Sequence, residues 1–572
     1  MAHAGGIDVL ALDGYLGERM HALWEGNLSR LDWERDFLAP FRDRREAGGY
    51  VGMGKTLSAL NGVARLYGGA AAELRERVTA GLLAAQEDAG YLGILAEAHR
   101  THGIWDVHEH GYLLQALTEA WKWFGDAGAR DGACRLAAWL LPRLSDGGWR
   151  RVGGGAIWYP IVLLGVDRGM LAVGEMTGDR AYRRFVEDDL GVRDWFEPIV
   201  EGREGVVAGH AYAYLGRCLA QLELYRNGAG GALPRATAAA LGYLRSGGGL
   251  TVSGTCGQEE CWHSDQRMDG KHGETCATAY LIRWAGHLLR RTDDSWYADL
   301  TERAMYNALF AANSPDGRRI RYYSPASGPR LWFTRDTYCC PGNYRRIVAE
   351  LPSLIARRTA DGVALDLYEA CRLRTAIGGA AVELRVHGGL PWSGTAEVEI
   401  AVAEPLRFAL RLRRPGWAES AVVAVNGVEV SAADGPGWFA IDRTWKPADR
   451  VEITFAMPWH LVRGFRRQRG RVAIMRGPLL YATTEVALGD DGAPPADAAP
   501  DVTTCRARNG AGHGILDAEL PDGRHVRLPV VPFSDPRVTE TYFRGVNGAA
   551  DRRDFLLDVE VPAVGTPPAP GA

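Results

Sequence analysis

The sequence predicts a multidomain protein in which a closed ring of paired helices is followed by antiparallel β-sandwich structure. Three observations carry this. At 572 residues the chain exceeds what one hydrophobic core serves, so two or three domains are expected. From about residue 20 to 360 apolar residues recur at helical i, i+3, i+4 spacing, and past 361 they alternate with polar ones.

The helical signal is clearest in GKTLSALNGVARLYG, HGYLLQALTEAWKWFG, GHAYAYLGRCLAQLELY, TCATAYLIRWAGHLLRRT and NYRRIVAELPSLIARR. Further helices lie between them, GACRLAAWLL around Cys134 and RAYRRFVEDDL near 180 among them. Short Gly-rich links and the lack of a heptad favour a ring over a coiled coil. The helical domain is assigned to 1–360 and a β-sandwich domain to 361–485, on strands such as ALDLY, AAVELRVHG, AEVEIAV, RFALRLRR and RVEITFAM. Residues 486–572 read as a linker plus a small β domain. In that stretch LGDDGAPPADAAPD (488–501) is expected to be mobile and the tail GTPPAPGA disordered. The early IDVLAL (7–12) is expected as a strand that returns to a β domain, the last region being its proposed partner.

A formal net charge of −4 supplies no electrostatic case for nucleic acid or an anionic membrane as partner. The N-terminus lacks a basic region and a continuous apolar core, so no secretory signal is expected. No apolar run is long enough for a transmembrane helix. Nine thinly spread cysteines do not resemble a disulfide framework, and a reducing, cytoplasmic location is expected. Eighteen Trp and twenty-one Tyr suit a sugar-binding cleft, although aromatics fill cores as well.

Residues 49–56, GYVGMGKT, satisfy the phosphate-binding pattern G-x4-G-K-[ST]. Such a loop needs a buried strand before it, whereas PFRDRREAG is charged and turn-like, and no βαβ alternation surrounds it. The segment is therefore read as a loop entering a helix near Lys55.

Two segments carry the strongest chemical signal, GETCA (273–277) and YCCPGN (338–343), each at the start of a predicted helix. Pro341 suits a first helical position, which puts Cys339 and Cys340 at the positive end of that helix. Helix N-termini favour thiolate, the form that binds metal and attacks electrophiles. Glu274 and Cys276 are two apart and converge only if that segment is pre-helical, which Gly273 permits. Three thiolates and a carboxylate make a tetrahedral zinc set. The spacing alone leaves buried free cysteines and a vicinal disulfide open as well.

ETCA, CCPGN, GHAYAYLGRCL, HGYLLQAL and the text RLRRPGW…VNGVEV…RTWKPADRVEITF…RGPLLYAT together resemble the β-L-arabinofuranosidase glycoside hydrolases, family 127. The resemblance runs from about residue 7 to 485. It implies an (α/α)6 barrel bearing the active site, with β-sandwich domains after it. It further implies a zinc ion on Glu274, Cys276, Cys339 and Cys340, with Cys339 also the nucleophile of a retaining hydrolase. A thiolate then replaces the usual carboxylate nucleophile, and zinc keeps it deprotonated.

The acid/base departs from the family pattern, in which Gly-Glu precedes a small residue and an aromatic, sixteen positions before the ETC glutamate. Here GQEECWH (257–263) has Gln258 at that point. Glu260-Cys261-Trp262 reproduces the order two residues late, so Glu260 is the expected acid/base and Glu259 the fallback. Two surface carboxylates are the bland alternative. The resemblance also implies sugar contacts for His110, His210 and Tyr322. His110 continues the apolar face of Leu113, Leu114 and Leu117 and is expected to point into the ring, His108 away from it. HEH is not a chelate, since i and i+2 diverge on a helix. Where the family carries a third histidine, before VGEMTGDRAY, this chain has DRGM.

The expected substrate is a small glycoside ending in a β-L-arabinofuranose-like sugar, with a homodimer compatible with the sequence. Two rival readings follow from the altered loop and subsite. One is the same mechanism on another pentose or a deoxy sugar; the other is a non-catalytic, zinc-stabilised carbohydrate-binding scaffold.

Overall fold

The computed structural model describes residues 6–45, 49–102, 104–152, 161, 163–225, 232–431, 437–508, 512–545, 551–552 and 554–557. Helices occupy the first part and strands the rest. Six helices contact one another in a closed circuit: Met53–Tyr67, Ile104–Phe124, Val166–Thr177, Ala211–Leu224, Thr275–Thr292 and Cys339–Glu350, the last packing back on the first. Gly69–Ala84, Ala127–Leu144, Arg235–Arg245 and Trp296–Ala304 lie against this circuit from outside. Inner helices are therefore buried all round. In Thr275–Thr292, every residue from Thr275 to Gly286 is buried.

Close helix approach depends on glycine at one crossing in particular. A Cβ on Gly54 would stand 2.3 Å from the backbone carbon of Tyr112, so Met53–Tyr67 and Ile104–Phe124 meet backbone to backbone there. Among the described residues no helix is long and apolar enough to cross a membrane.

Past the helices, a seven-stranded sheet runs in the order 8–12, 371–377, 380–388, 395–402, 449–455, 421–425, 428–431. Strands Cys371–Ile377 and Asp449–Phe455 alternate strictly between buried and exposed residues, the pattern of a sheet with one covered face. A four-stranded sheet, ordered 437–445, 406–414, 362–365, 356–358, accompanies it, with 362–365 parallel to 406–414. The later strands form an eight-stranded sheet with Ala499–Arg508 at one edge.

The early strand, Asp8–Leu12, does return to β structure, but to the first sheet and not to the last region. It pairs antiparallel with Cys371–Ile377, Leu12 opposite Cys371. The stretch 488–501 is no featureless linker either. Leu488 and Ala493 exchange two 2.8 Å backbone hydrogen bonds, Pro495–Asp497 forms a single 3-10 turn, and a strand begins at Ala499. Buried Leu488, Ala498 and Ala499 anchor it, and Pro495 starts the turn where its missing N–H costs nothing. The tail GTPPAPGA lies outside the described residues.

Buried ion pairs join the helical part to the strands. Arg413, on the 406–414 strand, bonds Asp299 and Glu302 of Trp296–Ala304, and Trp417 Nε1 donates to Glu302 at 2.8 Å. Removing one partner would leave a buried charge uncompensated, a cost of ~3–5 kcal/mol.

Candidate active site

The candidate residues sit at the N-terminal ends of inner helices, His210 before Ala211–Leu224, Glu274 and Cys276 at Thr275–Thr292, and Cys339 and Cys340 at Cys339–Glu350. Cys339 and Cys340 open the helix Cys339–Glu350, so Pro341 sits third in it and not first. It still falls in the turn whose N–H groups lack intrahelical acceptors. The preceding residue, Tyr338, has φ 121° and ψ 175°, a conformation that only glycine adopts readily. The strain lies directly beside the candidate nucleophile.

Glu274 caps the helix Thr275–Thr292 from an extended conformation, φ −56° and ψ 130°, while Cys276 lies inside the first turn. That break lets the two converge. Gly273, at φ +67°, makes the bend; a Cβ there would also meet Ser324 O at 3.0 Å. Cys276 Sγ lies 3.1 Å from Cys340 Sγ, and Glu274 Oε1 accepts from Cys340 Sγ at 3.6 Å. The sulfurs of Cys276, Cys339 and Cys340 fall within 4.8 Å of one another, and all three residues are buried. All nine cysteines are free, which leaves no vicinal disulfide.

This cluster can hold a metal ion. Its three soft sulfurs could share one ion, and the Glu274 carboxylate lies beside them, its second oxygen, Oε2, buried without a hydrogen-bond partner. Asn343 Nδ2 supports the set from behind, donating to Cys276 Sγ at 3.1 Å. Burial pushes the Cys276 and Cys340 thiols and the Glu274 carboxyl well up. Hydrogen bonds from the Cys276 and Cys340 thiols hold Cys339 well below the ordinary thiol range, against its own burial.

Glu260 stands across from it. Residues 258–261 form a two-residue hairpin, with Gln258 and Cys261 bonded N to O in both directions at 2.9 and 3.0 Å. Its two central positions, Glu259 and Glu260, take φ +53° and +68°. Such turns favour Asn and Gly, so two glutamates here hold strained backbone. The turn separates the two carboxylates. Glu260 Oε1 accepts from Tyr322 Oη at 2.7 Å and Tyr323 Oη at 3.2 Å, and Oε2 lies 3.2 Å from His210 Nε2. Glu259 turns outward to Arg267, 3.0 Å away, and is largely exposed. Tyr322 Oη also lies 3.4 Å from Cys339 Sγ, so one phenol touches both the carboxylate and the thiol.

The family now follows from sequence comparison. The catalytic-domain signature of the β-L-arabinofuranosidases of glycoside hydrolase family 127 matches residues 32–353, more than half the chain, and the middle-domain signature matches 362–457. The chain belongs to glycoside hydrolase family 127.

A curated relative, the non-reducing end β-L-arabinofuranosidase of Bifidobacterium longum subsp. longum, is 28% identical over 257 residues. That match spans 40% of this chain and 38% of the relative's length. The crystal structure of a family 127 β-L-arabinofuranosidase from Geobacillus stearothermophilus T6 is similar with a TM-score of 0.77 at 20% identity, covering 95% of this chain and all (100%) of that one. A second family 127 β-arabinofuranosidase structure gives 0.79 at 19%, covering 96% and 100%. These likenesses speak for the fold.

Within this family 127 site the two histidines of HEH exchange the places expected of them. His110 is fully buried away from the cluster, its ring against Tyr91 and Trp139 and its Nε2 3.6 Å from Asp106. His108 faces the ring interior, 3.2 Å from Lys55 Nζ and packed on Tyr50, Trp105 and Tyr112. The reason is that Ile104–Phe124 is buried on both sides. Its leucine face meets neighbouring helices, and its polar and tyrosine face lines the ring.

The GYVGMGKT loop does form an anion cradle, filled by the protein itself. Gly52 N and Gly54 N donate to the Glu109 carboxylate at 2.7 and 2.8 Å. Its lysine, Lys55, is fully buried beside the site, which sequence reasoning missed. Where the family's third histidine was looked for, Asp167 pairs with Arg217 at 3.1 Å and Met170 lies in the core.

Proposed function

We propose that this family 127 protein is a retaining, exo-acting glycoside hydrolase that releases a terminal β-L-arabinofuranose-like sugar. The fold reading that goes with it is an (α/α)6 barrel followed by β-sandwich domains, supported by the closed circuit of six helices. The observation that carries the mechanism is the shared contact of Tyr322 with Glu260 and Cys339.

In this reading Glu274, Cys276, Cys339 and Cys340 hold zinc. Bound zinc would supply the positive charge that keeps the thiolates deprotonated and makes Cys339 a competent leaving group. Cys339 attacks the anomeric carbon while Glu260 delivers a proton to the departing oxygen. Glu260 then takes a proton from the incoming water, and the C–S bond breaks with the sugar's configuration restored. Tyr322 and Tyr323 orient Glu260, His210 steadies its second oxygen, and His108 lies where a sugar hydroxyl would approach. Tyr322 is thus a substrate-side residue as well as a positioning one. The setting proposed is reducing and cytoplasmic, which an odd number of thinly spread cysteines suits.

Asp167 and Met170, standing where the family carries a histidine, favour a second reading of the substrate, another pentose or a deoxy sugar under the same mechanism. Aryl glycosides of pentoses and hexoses in both series, tested with zinc measured on the same preparation, decide this. Release of β-L-arabinofuranose is the expected result. No turnover of any glycoside by fully zinc-loaded protein would favour the non-catalytic scaffold.

A further inference from the structure

Glu260 and Tyr322 come from two separate loops, and both loops rest on the eight-stranded sheet. Between Glu259 and Met268 four non-glycine residues, Glu259, Glu260, Gln266 and Met268, take left-handed backbone, with φ +53°, +68°, +62° and +53°. Backbone of this kind persists only where its surroundings over-determine it. The hairpin bonds of Gln258 and Cys261 fix the first two residues, and the sheet braces the other two. Gln266 O accepts from Gln468 Nε2 at 3.0 Å. Gln468 ends the 3-10 turn Arg466–Gln468, between strands Trp459–Arg463 and Arg471–Arg476. Met268 is buried in a cluster with Val462, Ala473 and Met475 of those two strands.

The Tyr322 loop crosses the Glu260 loop at Met268, whose carbonyl accepts from Ala326 N at 2.9 Å. Thr541, fully buried just before strand Tyr542–Arg544, donates from Oγ1 to Ala326 O at 2.7 Å. One peptide unit away, Ser327 Oγ donates to Glu540 Oε1 at 2.7 Å, and farther along Arg330 Nη1 donates to Phe533 O at 2.6 Å. Thr541 thus holds the loop of Tyr322, and that loop holds the loop of Glu260. The 2.7 Å bond from Tyr322 to Glu260 spans the two, so its length follows how the loops are set against each other. A shift of about 1 Å in such a setting can cost ~10²-fold in rate.

We propose that the eight-stranded sheet is a working part of the acid/base apparatus, with Thr541 and Gln468 as positioning residues that aim Glu260. This rests on the reading of Glu260 as acid/base. Thr541→Val keeps the shape and deletes the hydroxyl, Thr541→Ser keeps the hydroxyl, and Gln468→Met releases Gln266 O from the other side. Each full-length variant is assayed on the methyl and nitrophenyl glycosides of the sugar the enzyme releases. In Thr541→Val, kcat on the methyl glycoside is expected to fall ~10–100-fold. On the nitrophenyl glycoside, whose leaving group needs no proton, kcat is expected to stay within about threefold. Thr541→Ser is expected to return both to within about threefold of wild type. Gln468→Met is expected to show the same split, and it carries the test should Thr541→Val not fold. Equal losses on both glycosides, or wild-type kinetics in Thr541→Val and Gln468→Met, would overturn the positioning role. If Glu260→Gln still showed the split, the acid/base reading would stand; a Glu260→Gln variant without it would overturn both.

Discussion

Glu260 Oε1 accepts a 2.7 Å hydrogen bond from Tyr322 Oη, although the glutamate sits at the tip of a strained hairpin and the tyrosine comes from a separate loop. The same hydroxyl reaches Cys339 Sγ, so the proposed acid and the proposed nucleophile share one phenol. A carboxylate on the general-acid side must matter most when the departing oxygen is basic. Glu260→Gln is expected to lower kcat/KM by ~10²–10⁴ on alkyl glycosides and much less on nitrophenyl glycosides. Glu259→Gln should leave both within about threefold, since its partner is the surface Arg267. Steady-state kinetics on the two leaving-group classes check this.

Tyr322→Phe removes one hydroxyl and keeps the ring. Both contacts of that hydroxyl disappear, leaving Glu260 Oε1 only its 3.2 Å bond to Tyr323. The expected effect is a fall in kcat of at least ~10-fold, with the fold intact by circular dichroism. Tyr323→Phe should cost less, because the 2.7 Å bond survives.

The exchanged histidines are separable by experiment. His108→Ala is expected to lower kcat/KM at least ~10-fold with little change in melting temperature. His110→Ala should do the reverse, since it deletes a fully buried ring packed between Tyr91 and Trp139. Kinetics and thermal unfolding on the same preparations distinguish them.

Stability should also carry a signature from Glu369. Burial raises its carboxyl from 4.5 to about 7, against the hydrogen bond from Tyr306. The folded state then holds this proton more tightly than the unfolded chain, so its contribution to stability falls as pH rises from 4.5 to about 7 and is level beyond. Glu369→Gln removes that slope. Relative to wild type, the variant should gain stability by up to ~3 kcal/mol between pH 5 and 8, read from urea unfolding at several pH values.

The order of helices then strands was legible because periodicity changes near 361, and the pairing of Glu274 with Cys276 was legible from Gly273. Glu260-Cys261-Trp262 pointed to Glu260, and it is Glu260 that meets Tyr322 while Glu259 turns out to Arg267. What the sequence hid was phase on a helix buried all round. Leu113, Leu114 and Leu117 form the most apolar face of Ile104–Phe124, yet that face meets other helices, and so His110 drew the attention that His108 merits. Lys55 was hidden differently. Its motif was correctly rejected as a phosphate loop, but no local signal says that Glu109, 54 positions later, fills the cradle and leaves the lysine to the site. The destination of the first strand depended on pairing over more than 350 residues, which alternation within a strand cannot specify.

The central claim is a double displacement through Cys339. Proton NMR during the first minutes of hydrolysis shows which anomer leaves the enzyme before mutarotation. The account predicts that the sugar first appears with the anomeric configuration it had in the glycoside. First appearance of the inverted anomer would contradict it, leaving Cys339 a metal ligand with no covalent role.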